Sequence, residues 1–532
     1  MTIDVAFRGK KSLIRVLAAA ADAGLTRNPR GARRFAADND GVDAVVQAGP
    51  EAGPSAWVRA SRGRAEAFVA LAAFAALCLI ALSVASQLVE PDDFAYRAST
   101  VAITQGHFLT LSTAQADRLA AELPGIVGQG AGGPGGSPAI PQWVQLPDGR
   151  WISEKDPGYP FLAAPFQAAG IIRLAPLFYG ALGCLGLFFG ARRWLGRYGG
   201  PAAVVLFCSS GAAMLFAWRD YMPTFTDASL IAAGTGALLW AVLAAEATAR
   251  RRTWIGLAAF VALEIAVFVR YTDLVVLGCA VVAVVVAAKL RALPAAAPRW
   301  WLGSVAVSIA GVALFDDLVY GGPLTSGYRP GEITFSFSAV PTNLRYMPAH
   351  LIQAMPMLVL GLAALAWIIG RRVRLRRTAD ERTVAERTVA ERAADGQVAD
   401  GQVAAARRDL VVGLALAASW FSVWGLYAAY TWTAHPFGTT LQFARFYVPA
   451  VGAISLLGSW LVTRLPRQTS LATVTAAASA VVMFGLGAWS FAVIHQSPFR
   501  VVHVGPAPVA PQPAQSAQAA ALPRTGEATG GR

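Results

Sequence analysis

The stretch FVALAAFAALCLIALSVASQLV at residues 68–89, followed directly by EPDDFAY at 90–96, decides the reading of this chain. At about 1.5 Å of rise per residue, a helix of that length crosses the roughly 30 Å hydrocarbon core of a bilayer. Two carboxylates, Asp92 and Asp93, come just past the membrane exit and lead a long polar loop. Ionised groups at such a boundary are costly to desolvate, so they sit where water, an ion or a charged substrate can reach them.

Composition agrees with a membrane protein. Of 532 residues, 55% are hydrophobic and only 14% charged, against about 25% charged in a soluble globule, and the mean hydropathy is +0.49. The formal charge of +14 does not mark a nucleic-acid binder, because the arginines fall in short segments between apolar runs, the pattern of cytoplasmic loops. Cys78, Cys184, Cys208 and Cys279 all lie in apolar runs without metal-ligand spacing, so neither a disulfide framework nor a zinc site is expected. The first apolar stretch comes late and is long enough to span, so an uncleaved first helix is expected.

Further apolar stretches predict an all-α polytopic membrane protein of about eleven spans, roughly 9 to 13. Their centres fall near Leu77, Gly183, Val205, Gly234, Phe260, Val281, Ser308, Leu360, Leu416, Ile454 and Val481, with a half-buried helix expected at Phe161 to Ile172. With the basic N-terminal tail (Lys10, Lys11, Arg15, Arg33, Arg34) in the cytoplasm, every second connection is also basic: Arg192/Arg193/Arg197, Arg250 to Arg252, Lys289/Arg291/Arg299, Arg371 to Arg377 and Arg464/Arg467. That alternation places a plasma-membrane protein with its N-terminus cytoplasmic and its C-terminus outside. The expected layout is a flexible tail at 1–65, a membrane domain at 66–495 and a disordered tail at 496–532. Within the domain lie an outer first loop at 90–160 and a low-complexity cytoplasmic linker at 371–409, whose ERTVA and DGQVA repeats carry no catalytic content.

The first outer loop holds most of the chemistry. Helices are expected at Ala95 to Gln105 and Ala114 to Leu123, and a hairpin at 143–152, where apolar and polar residues alternate about Asp148-Gly149. The glycine-rich run from Gly125 to Ser137 lacks the Gly-Lys-Ser/Thr of a phosphate loop and has no strand before it, so it reads as a connector. The loop closes on KDPGYP at 155–160.

Asp92, Asp93 and Tyr96, then Gly106, then KDPGYP, then a run of short-loop helices, together resemble the C-type glycosyltransferase superfamily. The likeness is closest to the branch of protein O-mannosyltransferases and lipid A aminoarabinose transferases. It covers roughly 68–467 and includes VRYT at 269–272 and RFYVPA at 445–450. The resemblance implies a hexosyl- or pentosyltransferase that moves a sugar from a polyprenyl-phosphate donor to an acceptor, which is a glycan, lipid or protein, on the extracytoplasmic side with inversion. The family's acidic pair is often Asp-Glu; Asp-Asp leaves open which carboxylate acts and whether a divalent cation is held there.

The residues make chemical sense of this. A carboxylate accepts the proton of an attacking hydroxyl, and a neighbouring acid raises its proton affinity, so Asp92 and Asp93 are the candidate bases. Cations aimed at a departing phosphate lower the barrier, and Lys155, Arg219, Arg270 and Arg445 fall on the predicted outer side. Tyr96, Tyr159 and His107 join them as candidate substrate contacts. Plainer roles exist for each: the Asp pair as a helix cap, Arg270 and Arg445 as snorkelling anchors, Lys155-Asp156 as a surface pair, Arg219 with Asp220 and Asp227 as local pairs, Asp316-Asp317 as a solvated helix end or a metal site, and Trp143, Trp151 and Trp432 as interfacial aromatics rather than sugar platforms. A transporter or flippase of lipid-linked substrates would also use outer arginines, though no internal repeat or broken midplane helix is evident in the sequence. A noncatalytic relative of the same fold is the third alternative.

Overall fold

The computed structural model describes residues 56–85, 88, 91–123, 140, 142–323, 325–328, 333–384, 389–434, 441–464, 481–489 and 492, with 56–63, 376–401 and 441–443 described as backbone alone. The chain divides into two units, Met1–Arg62 and Gly63–Arg532. Of the first, only the start of a helix at 56–62 is described.

Helix α1 (Ala56–Ser83) carries the opening apolar stretch. The first loop follows as α2 (Pro91–Thr104), α3 (Thr113–Glu122), a hairpin of β1 (Trp143–Gln145) and β2 (Trp151–Ser153), and α4 (Gly158–Ala168). Then come α5 (Ala175–Leu195), α6 (Gly199–Cys208), α7 (Gly211–Ala217), α8 (Thr224–Leu243), α9 (Ala249–Val269), α10 (Leu274–Lys289) and α11 (Ala297–Tyr320). After these stand α12 (Val340–Ala354), α13 (Met357–Val384), α14 (Val389–Ala428), α15 (Thr431–Ala434) and α16 (Val451–Arg464). The protein is an all-α polytopic membrane protein.

All eleven expected centres lie in helices, but fewer helices are long enough to span. Among the described residues seven qualify by length and composition, or up to nine if the bent pairs α6–α7 (64°) and α12–α13 (105°, from Phe337 to Leu375) each count as one span. The apolar helix around Ile454 runs only from Val448 to Arg464, and the helix at Val481 is described only over 481–489. The linker expected at 371–409 is largely helical, as the ends of α13 and α14. The glycine-rich run and the tails before 56 and after 492 lie outside the described residues.

The first loop folds as its pattern predicts. Pro91 opens α2, where its missing N–H costs nothing, so Asp92 and Asp93 occupy the first turn rather than the cap. Carboxylates are favoured there by the helix dipole. Ser112 and Gln115 form a capping box that starts α3. The hairpin pairs Trp143 with Ser153 and Gln145 with Trp151. Phe94, Leu111, Leu119, Trp143 and Trp151 then close into a small core of their own; burying a side chain such as Phe94 contributes about 1.5–3 kcal/mol. Trp143 and Trp151 are therefore structural, with the Trp151 indole donating to Thr113 Oγ1 at 3.1 Å.

In the bundle, α5 and α8 touch through glycines. A Cβ on Gly236 would stand 2.1 Å from the Gly186 carbonyl oxygen, the close backbone approach that small residues permit in membrane helices. The helices also have two chemically distinct ends. Arg252 lies near the start of α9 and Arg270 just past its end, while Arg445 precedes α16 and Arg464 closes it. At the basic end, Arg252 donates to the carbonyls of Ala241, Val242 and Ala292, Arg192 pairs with Glu66, and Arg371, Arg408 and Arg464 surround Asp409.

Candidate functional site

The opposite end gathers the candidate residues. The first turn of α2 directs its two carboxylates to different partners. Asp92 accepts from Lys155 Nζ at 3.3 Å and from Arg445 Nη2 at 3.4 Å, with 18% of its side chain exposed. Asp93 and Arg219, which ends the α7 turn, form an ion pair in which each side chain is 1% exposed. Arg219, for which local pairing was expected, has a partner 126 residues earlier in the chain.

Burial pushes the Asp92 carboxyl up, but Lys155, the Gln142 amide and Arg219 outweigh it and hold the group below the usual carboxylate range. Burial likewise works against the Lys155 ammonium, yet Asp92, Tyr328 and Glu154 raise it well above an ordinary lysine. Lys155 also donates to Tyr328 Oη at 3.2 Å and stands 4.7 Å from the centre of that ring. Lys155 is thus fixed rather than a mobile surface charge.

The KDPGYP string is explained by packing. A Cβ on Gly158 would lie 2.5 Å from the backbone carbonyl carbon and oxygen of Phe268, so only glycine lets α4 begin against the end of α9. Tyr159 is wholly buried, its hydroxyl donates to the Asp220 carbonyl, and Tyr96 meets it edge-on at 5.8 Å. Both tyrosines therefore join α2 and α4 to the Arg219-Asp220 turn, and Tyr159 is closed to a substrate.

Arg270 follows α9 and donates through Nη1 to the Arg445 carbonyl at 3.3 Å. The two guanidiniums lie over one ring, Phe446, at 5.6 and 4.8 Å. Burial opposes the Arg270 charge, but Tyr427, Asp227 and Asp273 raise it above its ordinary value. Asp227 and Asp273 are themselves buried and stand close to each other beside Arg270. Arg445 and Arg270 are thus held side by side by aromatic and acidic neighbours, next to Asp92 and Lys155.

His107 is not brought into this cluster. It lies beyond the far end of α2, fifteen residues after Asp92 and so about 20 Å along the helix, with Nδ1 3.3 Å from Gln115 Nε2. Asp92 and Asp93 point to separate cations instead of converging, and among the described residues no group of three or more His, Cys, Asp or Glu is placed to hold a metal ion. Asp316 accepts from Tyr271 Oη at 3.0 Å. Trp432 is exposed.

Comparison with known proteins adds a likeness of course of chain. It is similar to ArnT from Cupriavidus metallidurans. The crystal structure of that protein bound to undecaprenyl phosphate matches with a TM-score of 0.43 and 14% identity, over 82% of this chain and 70% of that one. The apo structure matches with a TM-score of 0.37 and 16% identity, over 76% and 77%. No family model matches the sequence, and no curated protein matches it.

Three features escaped the sequence reading. Asp156 accepts the Tyr271 N–H at 3.3 Å and faces the same Lys155 and Arg270. Tyr328 covers Lys155, and Gly327 presses so closely that a Cβ there would be 2.5 Å from Glu154 Cα. The Asp227–Asp273 pair backs Arg270 from α8 and the start of α10. The sequence reading places Asp156 in a surface pair with Lys155 and Asp227 in a local pair with Arg219, and does not single out Tyr328 or Asp273.

Proposed function

We propose that this protein is a membrane glycosyltransferase that moves a hexosyl or pentosyl group from a polyprenyl-phosphate donor to an acceptor hydroxyl on the extracytoplasmic face, in one inverting displacement. The observation that supports it is the meeting of Lys155 and Arg445 on the partly exposed Asp92, with Arg270 bonded to the Arg445 backbone. Three cations thus surround a partly exposed carboxylate at the end of the bundle opposite its basic end. With the basic end in the cytoplasm, the site opens outside, as does the C-terminus.

In this reading the acceptor oxygen attacks the anomeric carbon, Asp92 takes its proton, and the bond to the phosphate breaks. The phosphate gains charge as it leaves, and Lys155, Arg270 and Arg445 stabilise that charge in a site of low dielectric, an effect worth about 2.7–4 kcal/mol per well-placed donor. Asp93, sealed on Arg219, holds α2 in place rather than reacting. The isoprenoid lies along the lipid-facing helices. No divalent cation is required by this arrangement, because cationic side chains already face both carboxylates.

The test is release of undecaprenyl phosphate from a panel of undecaprenyl-phosphate hexoses and pentoses, using the full chain in nanodiscs. Asp92→Asn is expected to lower release about 100-fold or more without loss of lipid binding. Movement of the lipid between leaflets without release from any donor would support the flippase alternative instead.

A further inference from the structure

We propose that Asp156 is a second catalytic carboxyl, which carries a proton to the departing phosphate while Asp92 receives one from the acceptor. This rests on the glycosyl-transfer reading above. The site holds several carboxylates, and their surroundings separate them. Both Asp92 oxygens are engaged by cations. Asp93 is sealed on Arg219, and Glu154 is buried against Lys155. Asp156 is half-buried, its Oδ2 accepts one backbone N–H at 3.3 Å, and among the described residues its Oδ1 has no hydrogen-bond partner and the group has no ion pair. Asp227 and Asp273 also have oxygens without a hydrogen-bond partner, but both side chains are buried, whereas Asp156 keeps an oxygen that a ligand can reach.

Two of its neighbours, Lys155 and Arg270, are cations that suit a phosphate. Lys155 faces it from its own loop, Arg270 and Asp273 from the junction of α9 and α10, and Asp227 from α8. Four phenols complete the surroundings: Tyr96 of α2, Tyr271, Tyr320 of α11 and Tyr328. Burial pushes the Asp156 carboxyl up to about 7, against the pull of the Tyr271 N–H, Arg270 and Lys155. Asp92 is displaced the other way. Two carboxyls driven apart in this manner are suited to opposite proton-transfer roles, and an acid that titrates near the working pH is the most effective donor.

The step balances. The acceptor O–H bond breaks and its proton goes to Asp92, while the oxygen forms the new bond to the anomeric carbon. The bond from that carbon to the phosphate oxygen breaks with its electron pair on oxygen, and that oxygen takes the Asp156 proton. The products are the glycosylated acceptor and a polyprenyl hydrogen phosphate, with Asp92 protonated and Asp156 ionised; solvent water returns the proton from one to the other.

By microscopic reversibility, the product lipid and Asp156 share a proton when the lipid is bound. The experiment is calorimetric titration of the full chain in nanodiscs with undecaprenyl phosphate, in buffers of different ionisation enthalpy, between pH 6.5 and 8.5. The wild type is expected to take up a large fraction of one proton per lipid near pH 7.5, with affinity falling toward tenfold per pH unit above 7, the limit set by linkage of one proton. Asp156→Glu is expected to keep the uptake and Asp156→Asn to lose it. Equal uptake in the Asn variant overturns the assignment of Asp156 while leaving the functional reading in place. Failure of the wild type to bind the lipid at any pH overturns both.

Discussion

Asp93 in the first turn of α2 and Arg219 at the end of the α7 turn form an ion pair sealed from solvent, each side chain 1% exposed. Asp92, one residue earlier, turns instead to Lys155 and Arg445 and remains partly open. Two adjacent carboxylates thus have opposite duties: one fixes the helix and the other serves the site.

Removing one partner of a buried ion pair leaves the other charge uncompensated, at a cost of about 3–5 kcal/mol. Asp93→Asn is therefore expected to lower the thermal unfolding temperature in detergent more than Asp92→Asn, whose carboxylate is 18% exposed. Replacing both partners, with Asp93→Leu and Arg219→Met, should recover most of the loss. Equal stability of the two single Asn variants would contradict this division.

Gly158→Ala places a methyl group against the Phe268 backbone, and two backbones cannot both give way cheaply. The expected outcome is displacement of the Lys155-Asp156 segment and at least tenfold weaker binding of undecaprenyl phosphate, with the helices still folded by circular dichroism. Gly278→Ala, where a Cβ meets nothing within 4 Å, is the control expected to behave as wild type.

The architecture was readable because its signals are local. Apolar length located α1 and the later helices, and the Asp148-Gly149 turn located the hairpin. Lys155, Arg270 and Arg445 were found by sidedness, since each follows an outward run. Sidedness does not say which end of a surface helix a residue occupies, which is why His107, past the far end of α2 from Asp92, stood among the candidate substrate contacts. The Asp93–Arg219 pair spans 126 residues and leaves no local trace. Asp156 owes its character to the α9–α10 junction packed over it, and a short helix such as Val448–Arg464 shows apolar composition without spanning length.

A carboxyl held up to about 7 in the fold, against about 3.9 in an unfolded chain, keeps its proton longer when folded. Its contribution to stability is full below about 3.9 and is lost as pH rises through the folded value. Asp156→Asn, neutral throughout, should therefore gain in unfolding temperature relative to wild type between pH 5 and pH 7 and then hold a constant lead. A difference independent of pH across that window would show that Asp156 is not raised.

At the other end of the bundle, Asp409 accepts from the indoles of Trp194 and Trp460 at 3.0 and 3.1 Å and pairs with Arg371 and Arg464 at 3.6 and 3.3 Å. Asp409→Ala strands two indole donors and crowds like charges, so a loss of about 3 kcal/mol or more is expected. Because this cluster lies far from Asp92, binding of undecaprenyl phosphate to the folded fraction should not change.

The most direct measurement of the central claim is native mass spectrometry of the full chain with undecaprenyl phosphate, comparing wild type, Arg270→Ala, Arg445→Ala and, at the basic end, Arg464→Ala. The account predicts one retained lipid in the wild type and in Arg464→Ala, and its loss in Arg270→Ala and Arg445→Ala. Retention in both of those variants, or loss only in Arg464→Ala, would contradict a phosphate site beside Asp92.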